Sequence, residues 1–265
     1  MDATQSLSES VPHQRHEAAL PQLRRYLRAI TGDQLAGDRM AAGLWSTMPQ
    51  KARGQRDPAR FLSGATRAWR RSAGGRKAPP FSDRALLAST PPGLSLPRQA
   101  GVLIDVFGLT VHEAATVLDR SEGEVTRILS ATRAERRAPL ALDVLVVEDD
   151  PIIAQHLASI AEAQGARVEV AFGFKQADAA AARRAPRIAI CDYDLGEGPT
   201  GVDVVQHLAS EHDTTCIFVT AYPELVLRGA DGEPPFVLGK PFSERAVAAA
   251  LHYAARTRRP ELLAA

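Results

Sequence analysis

The chain has 265 residues, of which 45% are hydrophobic, 24% charged and 5% aromatic; this composition excludes fibrous, collagen-like and largely disordered proteins, and the length allows one large domain or two ordinary ones. Its net charge of +1 hides a division, because residues 1–140 carry 21 Lys and Arg against 13 Asp and Glu while residues 141–265 carry 11 against 18. A basic half is joined to an acidic half, a pattern compatible with nucleic acid, an acidic partner or the other half of the same chain.

The first ten residues, MDATQSLSES, lack a basic flank followed by an apolar core, and no apolar run approaches the ~18 residues of a membrane span, so a cytoplasmic protein is expected. Residues 1–140 contain no strand-like runs. Leu20 to Ile30 has the spacing of an amphipathic helix, and further helices are predicted near Asp33 to Met48 and Pro58 to Arg71. Ser72 to Pro80, SAGGRKAPP, is rich in Gly and Pro and reads as a linker. Two helical subdomains are therefore expected, over residues 1–75 and 81–138.

In the second subdomain, Thr110-Val-His-Glu113 and Ser121-Glu-Gly-Glu124 both fit the capping box, with Asp119 and Arg120 between them. A short helix from Val111 to Leu118, a tight turn and a helix to about Arg137 follow. Spacing alone leaves a helix-turn-helix and an ordinary helical hairpin equally open.

From Leu142 onward, short β-branched runs alternate with Ala-rich helical stretches, the pattern of a parallel sheet wound with helices. Strands are predicted at Asp143 to Val147, Arg167 to Ala171, Arg187 to Cys191, Cys216 to Val219 and Phe236 to Leu238, with helices starting near Pro151, Phe174, Gly201, Pro223 and Ser243. The result is an α/β domain of five βα units over residues 141–258. Cys191 and Cys216 fall in apolar stretches and read as reduced, buried thiols.

Glu148, Asp149 and Asp150 follow the first predicted strand, Asp192 closes the third, Thr220 the fourth, and Lys240-Pro241 follows the fifth. In a parallel sheet these ends share one edge, where such folds place ligands. Crowded carboxylates repel unless a cation is present, and hard oxygen ligands suit Mg2+. In this reading Asp149 and Asp192, with the Asp194 carbonyl, bind the metal, Glu148 acts through water, Asp192 accepts a phosphoryl group, and Thr220 and Lys240 contact its oxygens. Asp194 is the alternative acceptor. Taken singly, each residue has a plainer reading: Glu148 to Asp150 as a helix cap, Thr220 as a strand end, Lys240 as a surface charge.

VLVVEDDP, AICDYDLGEGPTG, FVTAY and GKPF resemble the receiver domain of bacterial response regulators, which implies a flavodoxin-like (βα)5 fold and phosphorylation of Asp192 by a histidine kinase or phosphotransfer protein. It also implies that Thr220 swings toward the phosphoryl group and moves the face made by the fourth and fifth strands. Receivers commonly carry an aromatic switch residue three positions before the lysine; here that position is Val237, with Phe236 beside it and Tyr222 as a candidate replacement. LPQLRRYLRAITGDQLAGDRMAAGLW resembles region two, and LPRQAGVLIDVFGLTVHEAATVLDRSEGEVTRILSATRAERR region four, of extracytoplasmic-function sigma factors.

A sigma-like half ahead of a receiver is similar to the PhyR-type regulators of the alphaproteobacterial general stress response. The resemblance implies an anti-anti-sigma factor rather than an enzyme: once phosphorylated, it mimics sigma and binds a NepR-type anti-sigma protein. Glu122 and Glu124 stand where a recognition helix would approach DNA phosphates, which argues against direct DNA binding. A promoter-binding regulator and a phosphate sink remain the alternatives. A helical partner could lie between the helical subdomains against Leu44, Trp45, Leu103 and Phe107, which are otherwise core residues, and the acidic half could cover the basic one at rest.

Overall fold

The computed structural model describes residues 19–55, 57–74, 95–196, 198–228 and 233–257. The amino-terminal half is helical, with α1 at Ala19–Thr31, α2 at Gln34–Thr47, α3 at Gln50–Arg53 and α4 at Pro58–Gly74. Leu23, Tyr26, Leu27 and Ile30 form the buried stripe of α1 that its spacing predicts. Asp33 caps α2, its carboxylate accepting from the Ala36 amide at 2.6 Å. Helix α4 runs three residues into the predicted linker, since Ser72, Ala73 and Gly74 continue its turns; residues 75–80 lie outside the described part.

Helix α5, Leu96–Gly101, passes into a π-helical turn over Val102–Val106, followed by α6 at Val111–Leu118 and α7 at Glu122–Glu135. The first capping box is complete: Thr110 Oγ1 accepts from the Glu113 amide, and the Glu113 carboxylate accepts from the Thr110 amide at 2.8 Å. The second is half made. Ser121 Oγ accepts from the Glu124 amide, but the Glu124 carboxylate turns to Arg120 at 3.3 Å. Asp119 takes the left-handed conformation between the two helices, at φ 54°. A helix-turn-helix results, with α7 ending at Glu135, two residues short of Arg137; the Arg136 amide still donates to Thr132 O at 3.2 Å, and its side chain pairs with buried Asp105.

The π-helical turn has no counterpart in the sequence reading. Its wider i to i+5 closure, Phe107 N–H to Val102 O at 3.0 Å, sets Asp105 inside the protein, where Arg133 and Arg136 neutralise it.

The second half holds five parallel strands in the order β2-β1-β3-β4-β5: β1 Asp143–Val147, β2 Arg167–Ala171, β3 Ile188–Cys191, β4 Thr215–Thr220 and β5 Phe236–Gly239. Helices α8 Pro151–Ala163, α9 Phe174–Arg183, α10 Gly201–His212, α11 Pro223–Val226 and α12 Glu244–Ala255 alternate with them. Side chains alternate across the sheet. Val144, Val146, Ile190, Ile217, Val219, Phe236 and Leu238 face α8 and α12, whereas Leu145, Val147, Cys191, Phe218 and Val237 face α9 and α10. Cys191 and Cys216 are buried free thiols, and burial pushes Cys216 up to about 12.

The first of these two cores does not stop at the sheet. It runs without a break from Phe236, Leu238 and Tyr253 into Leu23, Leu27, Leu103 and Val106, so one apolar cluster joins the two halves. Polar contacts line its rim. Arg24 Nη1 donates to the carbonyls of Leu227 and Arg228 at 3.0 and 2.7 Å, Arg25 Nε to Val237 O at 2.7 Å, and Arg28 Nη2 meets Glu233 at 2.6 Å. Arg98 lies over Phe236 and Tyr253, and Arg136 also lies over Tyr253. The acidic half thus does cover the basic one, but Arg24 and Arg25 grip backbone carbonyls, and Arg98 aromatic rings, rather than carboxylates.

His252 sits at this junction, buried, its ring nitrogen 3.2 Å from Gln164 Oε1. Burial first, then the charges of Arg136 and Arg256, lower its pKa to about 4. The unfolded chain takes up this proton near pH 6.5 while the folded chain refuses it until about pH 4, so stability falls as pH drops through that window. Urea unfolding at pH 7 and 4.5 should assign on the order of 2 kcal/mol of the acid-dependent loss to this group. His252→Gln should abolish that share; an undiminished loss would contradict it.

Candidate functional site

The carboxyl ends of β1, β3, β4 and β5 meet at one edge. Glu148 and Asp192 are buried there, and Lys240 bridges them: its Nζ lies 2.8 Å from Glu148 Oε2 and 2.7 Å from Asp192 Oδ2. Asp149 is exposed at the rim. Asp150 is spent elsewhere, as the N-cap of α8, accepting from the Ile152 and Ile153 amides. The plainer reading of the acidic run therefore holds for one of its three residues.

Asp192 is fixed from several sides. Its amide donates to Val147 O at 2.9 Å, and its Oδ1 accepts from the Tyr193 amide at 2.6 Å, leaving Oδ2 toward Lys240. Helix α10 starts directly beneath it, which requires glycine: a Cβ on Gly201 would stand 1.9 Å from Asp192 O. Asp194 is exposed, and its carboxylate accepts from the Gly196 amide in its own turn, away from Lys240.

Thr220 is buried, and its hydroxyl oxygen accepts from the Tyr222 amide at 3.1 Å. Among the described residues no hydrogen bond joins it to Asp192. The Lys240 amide donates to Thr220 O at 2.7 Å, tying the ends of β4 and β5 together.

Burial pushes Glu148 up to about 7, the charges of Asp192 and Asp149 adding to the shift and Lys240 opposing it. For Lys240 burial acts downward, and its hydrogen bonds to Asp192 and Glu148 more than reverse this, raising it. One lysine does not neutralise three carboxylates. Glu148, Asp149 and Asp192 each offer an oxygen, all within 4.8 Å of one another. An excess of hard, negatively charged donors at this spacing fits a divalent cation such as Mg2+.

The candidate switch aromatics are placed differently from one another. Phe236 is buried in the core shared by the two halves with Arg98 over its ring, Val237 faces the opposite core, and Tyr222 is exposed. Of the candidate partner contacts, Leu44 and Leu103 are buried core, Trp45 packs on Phe61 under Arg53, and Phe107 packs edge-on against Tyr26 under Arg25. Leu44 and Leu103 are thus covered in this arrangement, while Trp45 and Phe107 are half-buried. The sequence reading missed Arg24, Arg25, Arg28 and Arg98, although LRRYLR in α1 carries the i, i+4 spacing that puts Arg24 and Arg28 on one side.

The doubly wound sheet in 2-1-3-4-5 order and the carboxylate–lysine pocket at its edge define a response-regulator receiver. Residues 144–252 match the family model described as response regulator receiver domain, and residues 17–54 match that described as the Sigma2 domain of PhyR. Phyllosphere-induced regulator PhyR of Methylorubrum extorquens is 32% identical over 243 residues, 89% of this chain and 91% of that protein. The crystal structure of the response regulator PhyR from Brucella abortus superposes with TM-score 0.73 at 29% identity, covering 91% of this chain and 92% of that one. That of anti-anti-sigma factor PhyR from Bartonella quintana does so with TM-score 0.73 at 26% identity, covering 91% and 94%. The chain belongs to the PhyR family of response regulators. Among the described residues no helix is long and apolar enough to cross a membrane.

Proposed function

We propose that this chain is a phosphorylation-gated anti-anti-sigma factor of a stress response: phosphorylation of Asp192 frees its sigma-like half to bind a NepR-type anti-sigma protein. The phosphodonor is a histidine kinase or phosphotransfer protein. A carboxylate oxygen of Asp192 attacks the phosphorus of the donor's phosphohistidine; the new P–O bond forms as the P–N bond breaks, and the electron pair returns to the departing imidazole. Lys240 and the Thr220 hydroxyl donate to two phosphoryl oxygens. Bound by Asp149 and Asp192 with the Asp194 carbonyl, and through water by Glu148, Mg2+ would offset the charge on those oxygens.

The observation that carries this reading is the grip of α1 on the segment after Thr220. Arg24 holds the carbonyls of Leu227 and Arg228, seven and eight residues beyond Thr220, and Arg25 holds Val237 O, three residues before Lys240. Drawing Thr220 and Lys240 toward a phosphoryl group shifts the connection after α11 and the β5 backbone that those arginines hold. Moving a two-state protein from ~1% to ~99% open needs about 5.5 kcal/mol. One to three charge-assisted bonds to the phosphoryl group, at about 1.5–3 kcal/mol each, supply much of that, and partner binding the rest.

At the start of α7, exposed Glu122 and Glu124 pair with His112 and Arg120, so the end that would face DNA presents carboxylates. Mixed with a phosphodonor, the chain should gain about 80 Da and co-elute with the anti-sigma protein. Asp192→Asn should lose both. A mass gain that survives in the variant, or equal co-elution without donor, would refute the assignment; specific retardation of a promoter fragment would favour direct DNA binding instead.

A further inference from the structure

Away from the acceptor edge, on the sheet face carrying α9 and α10, three metal-binding side chains converge. Asp178 lies on α9, His207 on α10, and His212 closes α10. His207 Nε2 stands 2.7 Å from Asp178 Oδ1, the two imidazole centroids are 5.7 Å apart, and one donor atom from each of the three residues lies within 4.8 Å of the others. All three are partly exposed, so an ion and its waters can enter.

From this geometry we infer that Asp178, His207 and His212 form a second metal site, one for zinc or a neighbouring first-row divalent ion. Two imidazoles and one carboxylate are the donor set such ions prefer, in contrast to the all-carboxylate pocket around Asp192. Zinc bonds to nitrogen and oxygen of about 2.0–2.2 Å place tetrahedral ligands roughly 3.3 Å apart. The Asp178–His207 hydrogen bond, at 2.7 Å, thus opens slightly while wider separations close, through rotation of partly exposed groups, with water completing the shell. The site is partly organised beforehand. Asp178 holds one edge of the His207 ring, and Phe174, at the start of α9, packs on it with centroids 5.2 Å apart. A partly exposed side-chain pair of this kind adds little to stability by itself, so fold stability does not require this constellation.

Occupancy would tie α9 to the carboxyl-terminal turn of α10, the helix whose first residue, Gly201, packs against Asp192. The site therefore lies at the far end of the helix that supports the acceptor.

Zinc titrated into the full chain at neutral pH with excess Mg2+, in competition with a chromogenic chelator, should show a site whose affinity falls by about tenfold or more in Asp178→Asn and in His212→Gln. The pair His207→Gln with His212→Gln should abolish it. Co2+ in place of zinc should give visible d–d absorption in the parent chain and none in that double variant, with both folded by circular dichroism. Failure of the parent chain to bind zinc, or unchanged zinc affinity and Co2+ spectrum in the double variant, would overturn the assignment.

Discussion

Gly101→Ala is expected to wedge the two halves apart without touching the carboxylate–lysine pocket around Asp192. A Cβ at this position would lie 1.8 Å from the Tyr253 hydroxyl and 3.1 Å from Cζ. Tyr253 is a rigid ring, buried, with Arg98 over it at 5.2 Å and Arg136 at 5.3 Å, so it has nowhere nearby to turn. Overpacking of this kind costs about 1–3 kcal/mol. That cost falls on the docked arrangement and on nothing within either half, so the variant should bind the anti-sigma partner measurably without phosphodonor. Among the described residues the buried Tyr253 hydroxyl has no hydrogen-bond partner. Tyr253→Phe should consequently be close to neutral by itself and, combined with Gly101→Ala, should restore much of the lost stability, since it removes the atom the new methyl strikes. Additive destabilisation in thermal unfolding of the double variant would contradict this picture of the contact.

Arg28→Ala should destabilise the whole chain by about 3–5 kcal/mol, the largest single effect among the interface arginines. Its guanidinium is fully buried and forms a fork to Asp38, with Nε–Oδ1 at 2.7 Å and Nη2–Oδ2 at 2.6 Å, while the same Nη2 meets buried Glu233 at 2.6 Å. Truncation strips the guanidinium from two carboxylates at once, one in each half of the molecule. Arg28→Lys should recover only a fraction, because an ammonium cannot reproduce the planar fork. Arg24→Ala should behave differently. Its carbonyl contacts lie at the partly exposed rim, so the loss there should be smaller and should appear mainly as a lower phosphorylation threshold for partner binding. A urea midpoint for Arg28→Ala within a few tenths of a molar of the parent would refute the role given to this residue.

Strand and helix patterning sufficed for the receiver half because β1, β3, β4 and β5 are buried on both sides as their unbroken apolar runs require, edge strand β2 alternates, and each helix buries one face. β1 and β2 fall where the apolar runs predict. β3 starts one residue late, at Ile188, while β4 and β5 gain a residue or two at their ends, where backbone pairing outlasts the apolar run. Caps were equally readable: Asp33, Thr110, Ser121 and Ser243 each accept from a backbone amide at a helix start. The acidic edge was readable because strand ends in a parallel sheet converge by topology alone. Where two halves meet, by contrast, local pattern carries no instruction. Arg24 and Arg25 look like solvated charges until the carbonyls of Leu227, Arg228 and Val237 are set against them, and Gly101 looks like an ordinary helix-weakening glycine until Tyr253 is placed. The π-helical turn at Val102–Val106 is apolar at every position but Asp105, and nothing in its residues separates it from an α-helix; its reason lies in Arg133 and Arg136, about thirty residues away in sequence.

Amide hydrogen exchange on the full chain, with Mg2+ and with or without beryllofluoride, probes most directly whether esterification of Asp192 loosens the hold of one half on the other. Added beryllofluoride should speed exchange in α1, in the turn Val102–Val106 and along β5 and α12, leaving α9 unchanged, and Asp192→Asn should show none of this. Beryllofluoride bound at Asp192 by 19F resonance, with exchange in α1 and β5 unaltered, would show that the two halves part by some other trigger.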